Sequence, residues 1–244
     1  MGTRLHSVVI DSTDHAAQAR WWAETLRWSV VHTDEREAAI EPAGGPEADI
    51  ALVFVPVPEP KVGKNRIHLD LASTTTADQD AIVERLLARG AQRADIGQSD
   101  VSWVVLSDPE GNECCVLAPD SRFDEPGTLA AIVVDAVDPG RLARFWAEAS
   151  GWQIHAESHV LATLCHPDGR PPALDLVAVT DPTPGKNRVH LDVAPSAADD
   201  QDAEVERLRR LGAQPADVGQ ADDVTWVVLT DPEGNEFCVL SPRR

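Results

Sequence analysis

No stretch of this 244-residue chain strings together the roughly 18–20 apolar residues that a membrane-spanning helix needs. Positive charge is scarce, with 21 Lys and Arg against 41 Asp and Glu, a formal net charge of −20. Nucleic acid and anionic membranes would repel such a chain, so neither is expected as a partner, and solubility is the plain use of the charge. Cysteine is rare as well: Cys114, Cys115, Cys165 and Cys238 include no Cys-x-x-Cys pair, which removes zinc knuckles and thioredoxin-type couples. Gly-x-Gly-x-x-Gly, P-loop, Gly-x-Ser-x-Gly and zinc-protease patterns are missing, and support for nucleotide-dependent chemistry and serine hydrolysis goes with them. The chain runs straight into Val8-Val9-Ile10 with no secretory pattern, so a cytoplasmic location is expected.

What the sequence does have is repetition. Lys64–Asp70 reads Lys-Asn-Arg-Ile-His-Leu-Asp and returns as Lys186–Asp192 with Val in place of Ile. Each copy is followed by an acidic helical stretch (Asp78–Arg89, Asp200–Arg210), a Gly-Ala-Gln stop, and an extended run around Trp103 or Trp226. The turn Asp-Pro-Glu-Gly-Asn-Glu then closes each copy at Asp108–Glu113 and Asp231–Glu236. A period of this length marks a duplication, and 244 residues with 43% hydrophobic content suffice for two globular units.

The order of elements repeats at a finer level. A strand at Leu5–Asp11 leads through Ser12-Thr13-Asp14, good N-cap chemistry, to a helix over His15–Leu26. Its counterparts are a strand at Ala131–Asp135 and a helix at Gly140–Ala149. Trp21 and Trp22, like Phe145 and Trp146, fall on a core-facing stripe, and packing rather than ligand contact is their expected role. Three short strands follow each helix, with turns at Gly44-Gly45-Pro46 and Pro167–Pro172. Pro56, Pro58 and Pro60, and again Pro182 and Pro184, make a stiff crossing before the Lys-Asn-Arg strand, after which strand, helix and short strands repeat. The expected fold class is α+β, four βαβββ modules, with units at 1–119 and 127–244. The Asp-Pro-Glu-Gly turn needs only a structural explanation: proline presets φ and glycine supplies the left-handed residue of a tight hairpin.

Strand-helix-three strands repeated, His-Leu-Asp in the second module and Asp-Pro-Glu-Gly-Asn-Glu before the last strand together resemble the vicinal oxygen chelate superfamily, in its glyoxalase-like, bleomycin-resistance-like branch. The resemblance covers essentially the whole chain, one unit per half, and implies that two modules curl into a cup around a small molecule. By strand alternation Ile67, Leu69 and Leu71 pack under the helix, so Arg66, His68 and Asp70 point into the first cup. Arg188, His190 and Asp192 point into the second.

His68 and His190 fall where the family places a metal-ligand histidine, and both are candidates for acid–base catalysis, since imidazole titrates near neutrality. Asp70 and Asp192 orient the imidazole or pair with Arg66 and Arg188. The family's glutamate ligand position holds Cys115 and Cys238, and its first-strand ligand position holds Ser7 and Ala131. Glu113 and Glu236 share a face with the cysteines and complete the ligand-contacting set with Arg66, Asp70, Arg188 and Asp192. The remaining ligand position is apolar in the first half (Ala51–Val53) but includes Asp175 in the second. No cofactor is therefore expected in the first unit, and a divalent metal in the second would be held by Asp175, His190 and Cys238. The expected function is small-molecule binding without metal, for resistance-type sequestration or a biosynthetic step, in a monomer or alternatively a homodimer. The alternative is a lyase or isomerase of the glyoxalase type.

Overall fold

The computed structural model describes residues 2–43, 50–98, 101–120, 123, 125–220 and 224–242. The turn expected at Gly44-Gly45-Pro46 lies outside them, as do Ser121, Arg122 and Asp124 of the expected boundary between halves. Four modules follow one another. The first is β1 (Thr3–Ser12), α1 (His15–Leu26), β2 (Ser29–Thr33), β3 (Ala38–Glu41) and β4 (Ala51–Pro56). The second is β5 (Ile67–Leu71), α2 (Thr76–Ala88), β6 (Gln92–Arg93), β7 (Val104–Ser107) and β8 (Glu113–Val116). The third is β9 (Leu129–Ala136), α3 (Pro139–Ser150), β10 (Gln153–Glu157), β11 (Leu161–Cys165) and β12 (Ala173–Ala178). The fourth is β13 (Val189–Pro195), α4 (Gln201–Arg210), β14 (Gln214–Pro215), β15 (Val227–Thr230) and β16 (Glu236–Val239). Asp14, Thr75, Asp138 and Asp200 cap the helices, each side chain accepting from a backbone N–H in the first turn.

The α+β class and the four modules are those expected, but the modules pair differently. One eight-stranded sheet has the order β14-β15-β16-β13-β1-β4-β3-β2 and joins the first module to the fourth. The other, β10-β11-β12-β9-β5-β8-β7-β6, joins the third to the second. We call these the terminal and the central sheet. Neither half of the chain closes a sheet of its own. Within a module the first and last of the long strands run parallel, as β1 with β4 and β5 with β8. Modules meet antiparallel through β1–β13 and β5–β9.

The physical reason lies between the modules. Three prolines within Pro56–Pro60 hold the chain extended, so it leaves the terminal sheet instead of turning back beside β1. Each Lys of the repeated motif then ties its strand to the neighbouring module: Lys186 Nζ lies 2.5 Å from Asp11 Oδ2, and Lys64 Nζ lies 2.6 Å from Asp135 Oδ2. These pairs, Lys186 with Asp11 and Lys64 with Asp135, bridge the junctions that the backbone ladder makes.

A single core cluster joins both sheets and takes in all four helices. Trp22 and Trp146 are 1% exposed, confirming them as core. Phe145 and Trp146 of α3 meet Phe237 of β16 edge-on, so a helix that follows the central strand β9 packs on the terminal sheet. The hairpin turns lock this arrangement. Trp22 Nε1 donates to Asp108 Oδ2 and Trp146 Nε1 to Asp231 Oδ2, both at 3.1 Å. Glu110 accepts from the backbone N–H groups of Thr13 and Asp14 at the start of α1, and Glu233 from those of Val137 and Asp138 before α3. The Asp-Pro-Glu-Gly turn is structural, as its chemistry implies.

Candidate functional site

Ile67, Leu69 and Leu71 are buried in the core, which sends His68 and Asp70 to the face of the central sheet opposite the helices. Cys114 joins the core and Cys115 therefore shares the face of Asp70, its direct partner across the parallel β5–β8 ladder. The terminal sheet repeats the pattern, with Asp192 beside Cys238. In each sheet the ligand-capable atoms of His, Asp and Cys lie within 4.8 Å of one another: His68, Asp70 and Cys115 in one, His190, Asp192 and Cys238 in the other. The His68 and His190 side chains keep 11% and 17% of their surface open, whereas the aspartates and cysteines beside them are buried.

Burial sets the protonation of these groups. It holds His68 down to about 3 and His190 to about 4, with Lys64 and Lys186 adding to the effect, so both imidazoles are neutral at pH 7. Burial pushes the Cys115 and Cys238 thiols up, and the adjacent aspartates push them further. Asp70 is raised to about 7, chiefly by burial; a hydrogen bond from Cys115 opposes the shift and the charge of Asp175 adds to it. The group that titrates near neutrality is thus a carboxyl rather than the histidine the sequence points to.

The triads draw on the expected residues but not all of them. Arg66 and Arg188 do not pair with the aspartates. Arg66 Nη2 donates to the carbonyl of Glu233 at 3.0 Å, while Arg188 binds the Glu59 carbonyl and the Glu110 carboxylate, each arginine thereby clasping a hairpin or linker of the other sheet. Glu113 accepts from Lys61 Nζ and the Asn65 N–H, and Glu236 from the Asn187 N–H, so both brace the approach to the histidine strand.

Asp175 requires the largest correction. It lies on β12 of the central sheet, while His190 and Cys238 belong to the terminal sheet, so the grouping Asp175–His190–Cys238 does not form. Its register partner is Val133, which in turn faces His68. The carboxylate therefore shares a sheet face with the first histidine, two strands away and outside the group of donors that lie within 4.8 Å of one another, and module pairing is what moved it. Thr163, which sequence reasoning passed over, donates to Asp175 Oδ1 at 2.6 Å. In the terminal sheet the same row reads Val53, Val9, His190. One row along, Ser7 faces Asp192 and donates to its Oδ2 at 3.1 Å, where the central sheet has Ala131 facing Asp70.

The central triad fits a divalent metal. Asp70 Oδ1 and His68 Nδ1 are buried with no hydrogen-bond partner among the described residues, and Asp192 Oδ1 of the terminal triad is in the same state. Imidazole, carboxylate and thiolate are the donors that zinc and similar ions accept, at about 2.0–2.3 Å from the ion. One carboxylate and one thiolate would balance a +2 charge.

Paired βαβββ modules with a histidine on the inner strand of each sheet define the vicinal oxygen chelate class. The chain matches the glyoxalase-like domain family over residues 7–117 and again over 131–240, and it belongs to that family. No curated protein matches it in sequence. Among solved structures it is similar to a point mutant of glyoxalase I from Zea mays, with a TM-score of 0.70 at 14% identity, over 98% of this chain and 94% of that one. The unmutated maize enzyme gives 0.67 at 15% identity, over 98% and 92%. A candidate dioxygenase from Bacillus subtilis gives 0.62 at 11% identity, over 99% and 86%. At these identities the likeness establishes the fold. Among the described residues no helix is long and apolar enough to cross a membrane.

Proposed function

We propose that the chain binds a small organic molecule on the open face of its sheets and, at the central triad, moves a proton on it in a reaction of the lyase or isomerase type. The observation that supports this is the Asp70 carboxyl. It is buried, its Oδ1 lacks a hydrogen-bond partner among the described residues, and it sits beside a neutral imidazole 3.5 Å away and a protonated thiol. A carboxyl held near neutrality can take or give a proton at working pH, and a neutral imidazole can hydrogen-bond to a polar group of the ligand without competing for that proton. The roles expected for His68 and His190 thus become orienting ones, with Asp70 as the proton carrier. A divalent cation held by His68, Asp70 and Cys115 would instead supply Lewis acidity toward a carbonyl oxygen of the bound molecule, with Asp70 then a ligand rather than the proton carrier. Because each sheet already joins modules from both halves, a monomer suffices for this reading.

The test begins with a thermal-shift screen of thiol adducts, aromatic polyketides and glycopeptides, since a ligand at a hundredfold over its dissociation constant adds about 2.7 kcal/mol to stability. Compounds that bind are incubated in D2O and followed by NMR for exchange of a carbon-bound proton. Exchange by the parent protein that falls at least about a hundredfold in Asp70→Asn supports the reading. Binding with no exchange in any variant overturns the chemical part and leaves sequestration.

A further inference from the structure

We propose that each site is uncovered by parting of its cysteine strand from its histidine strand, and that the latch holding the two together belongs to the other sheet. Arg188, Ser12 and Thr13, at strand ends of the terminal sheet, close the central site by holding Glu110. Arg66 of the central sheet closes the terminal site by holding the Glu233 turn. Neither arginine touches a ligand; each is a positioning residue for the site on the opposite sheet. The inference goes beyond the proton-transfer reading and does not rest on it, because any molecule that meets Asp70 or Asp192 must first uncover a buried side chain.

Strand order shows which piece of each sheet moves. In the central sheet β8, β7 and β6 follow β5 to the free edge, and in the terminal sheet β16, β15 and β14 follow β13. Asp70 faces Cys115 across β5–β8, and Asp192 faces Cys238 across β13–β16. Each of these ladders pairs three residues, against five for β5–β9 and seven for β1–β13. Local opening falls where the ladder is shortest, so the last three strands of each sheet act as a flap over its aspartate.

The hairpin of each flap is gripped from outside its own sheet. Glu110, in the β7–β8 turn, accepts from Ser12 Oγ at 2.8 Å, Thr13 Oγ1 at 2.9 Å and the N–H groups of Thr13 and Asp14. Arg188, two residues before His190, adds its Nη2 at 3.1 Å and is itself steadied by the carbonyl of Glu59. Asp108 Oδ1 accepts from the N–H groups of Glu110 and Asn112, which stiffens the turn and carries the grip to β8. Glu233 holds the same place in the terminal hairpin, with a thinner grip. Ala136 and Val137 stand where Ser12 and Thr13 supply hydroxyls, which leaves the N–H groups of Val137 and Asp138. Arg66 meets the Glu233 carbonyl at 3.0 Å, and among the described residues no ion pair joins it to the carboxylate. Hydrogen bonds between charged groups are the stronger kind, so the central flap is the more firmly shut.

Thiol labelling tests the latch without any ligand, because each flap carries a buried cysteine. Full-length protein is treated with iodoacetamide under native conditions, and labelling of each cysteine is followed by peptide mass spectrometry. Cys165, on β11 and outside both flaps, is the reference. The expected pattern is crosswise. Arg188→Ala should speed labelling of Cys115 about ten- to hundredfold, and Ser12→Ala about three- to tenfold, with Cys238 unmoved in both. Arg66→Ala should speed Cys238 about three- to tenfold and leave Cys115 unmoved. Arg188→Lys keeps a charge opposite Glu110 and should restore part of the protection. Ser12→Ala installs the residue already present at position 136, so the test survives an arginine variant that does not fold. Faster labelling in the sheet that carries the substitution, equal acceleration of Cys115, Cys165 and Cys238, or no change in any variant would each overturn the proposal.

Discussion

The two triads of this protein are built from identical residues, on histidine strands that read Ile-His-Leu-Asp-Leu and Val-His-Leu-Asp-Val, yet their neighbours make them unlike. His68, Asp70 and Cys115 sit beside Asp175 and Ala131; His190, Asp192 and Cys238 sit beside Val53 and Ser7. The strand that carries the histidine and aspartate is nearly the same in both copies, and the residues opposite it on the partner module are not. A residue's chemistry here is set across the sheet rather than along the chain. The comparison can be broken at three places, with effects of decreasing size.

The largest effect belongs to Asp70. Its folded value of about 7 lies above the ordinary 3.8, so the folded protein holds this proton more tightly than the unfolded chain does. Stability from this group is therefore fully present below about pH 4 and is lost as pH rises to 7, a penalty of about 4 kcal/mol above that. His68 and His190 act in the opposite sense: their lowered values give stability that is present above 6.5 and lost as the pH falls toward 3 or 4. Asp70→Asn removes only the first contribution. In chelator the variant should melt well above the parent at pH 8 and match it at pH 4. Superimposed melting profiles across that range would show that Asp70 is an ordinary carboxylate.

The hairpins offer the next comparison. Asp108 accepts from Trp22 Nε1, the Asn112 side chain and the Gln18 amide, whereas Asp231 accepts from Trp146 Nε1 and the Asn235 side chain, the place of Gln18 being taken by Leu142. Either carboxylate replaced by alanine leaves buried donors without an acceptor. The expected cost in urea unfolding is about 3 kcal/mol for Asp231→Ala and about 1 kcal/mol more for Asp108→Ala, because one more donor is orphaned. Equal costs would mean that Gln18 contributes nothing to anchoring the first hairpin.

Most of the fold could be read from the residues. Alternation in Ile67–Leu71 separated core from open face, the Asp-Pro-Glu-Gly turns marked the hairpins, and the repeated Lys-Asn-Arg-x-His-Leu-Asp gave the modules. Asp70 and Asp192 could be placed beside their histidines because two residues along a strand share a face. What alternation does not carry is which module pairs with which. The second and fourth modules present nearly the same strand to the first, so the local pattern is degenerate, and the choice is made by the proline-stiffened crossing at Pro56–Pro60. Misplacing Asp175 follows from that alone: its strand was read correctly, its sheet was not. The surroundings of the triads, and with them the protonation of Asp70, depend on the same choice and were hidden for the same reason.

The smallest change is the sharpest test of the comparison, because it exchanges one oxygen atom between the sheets. Ser7→Ala removes a buried hydroxyl donor to Asp192 and should cost about 1 kcal/mol. Ala131→Ser is the reciprocal change, a single oxygen added at the register partner of Asp70. A hydroxyl there stabilises the charged carboxylate, so the midpoint of the Asp70-dependent melting profile should move to lower pH and the protein should gain stability at pH 8. If Ala131→Ser leaves the pH profile unmoved, the serine of the terminal sheet is incidental, and the contrast between the two sites must rest on Asp175 alone.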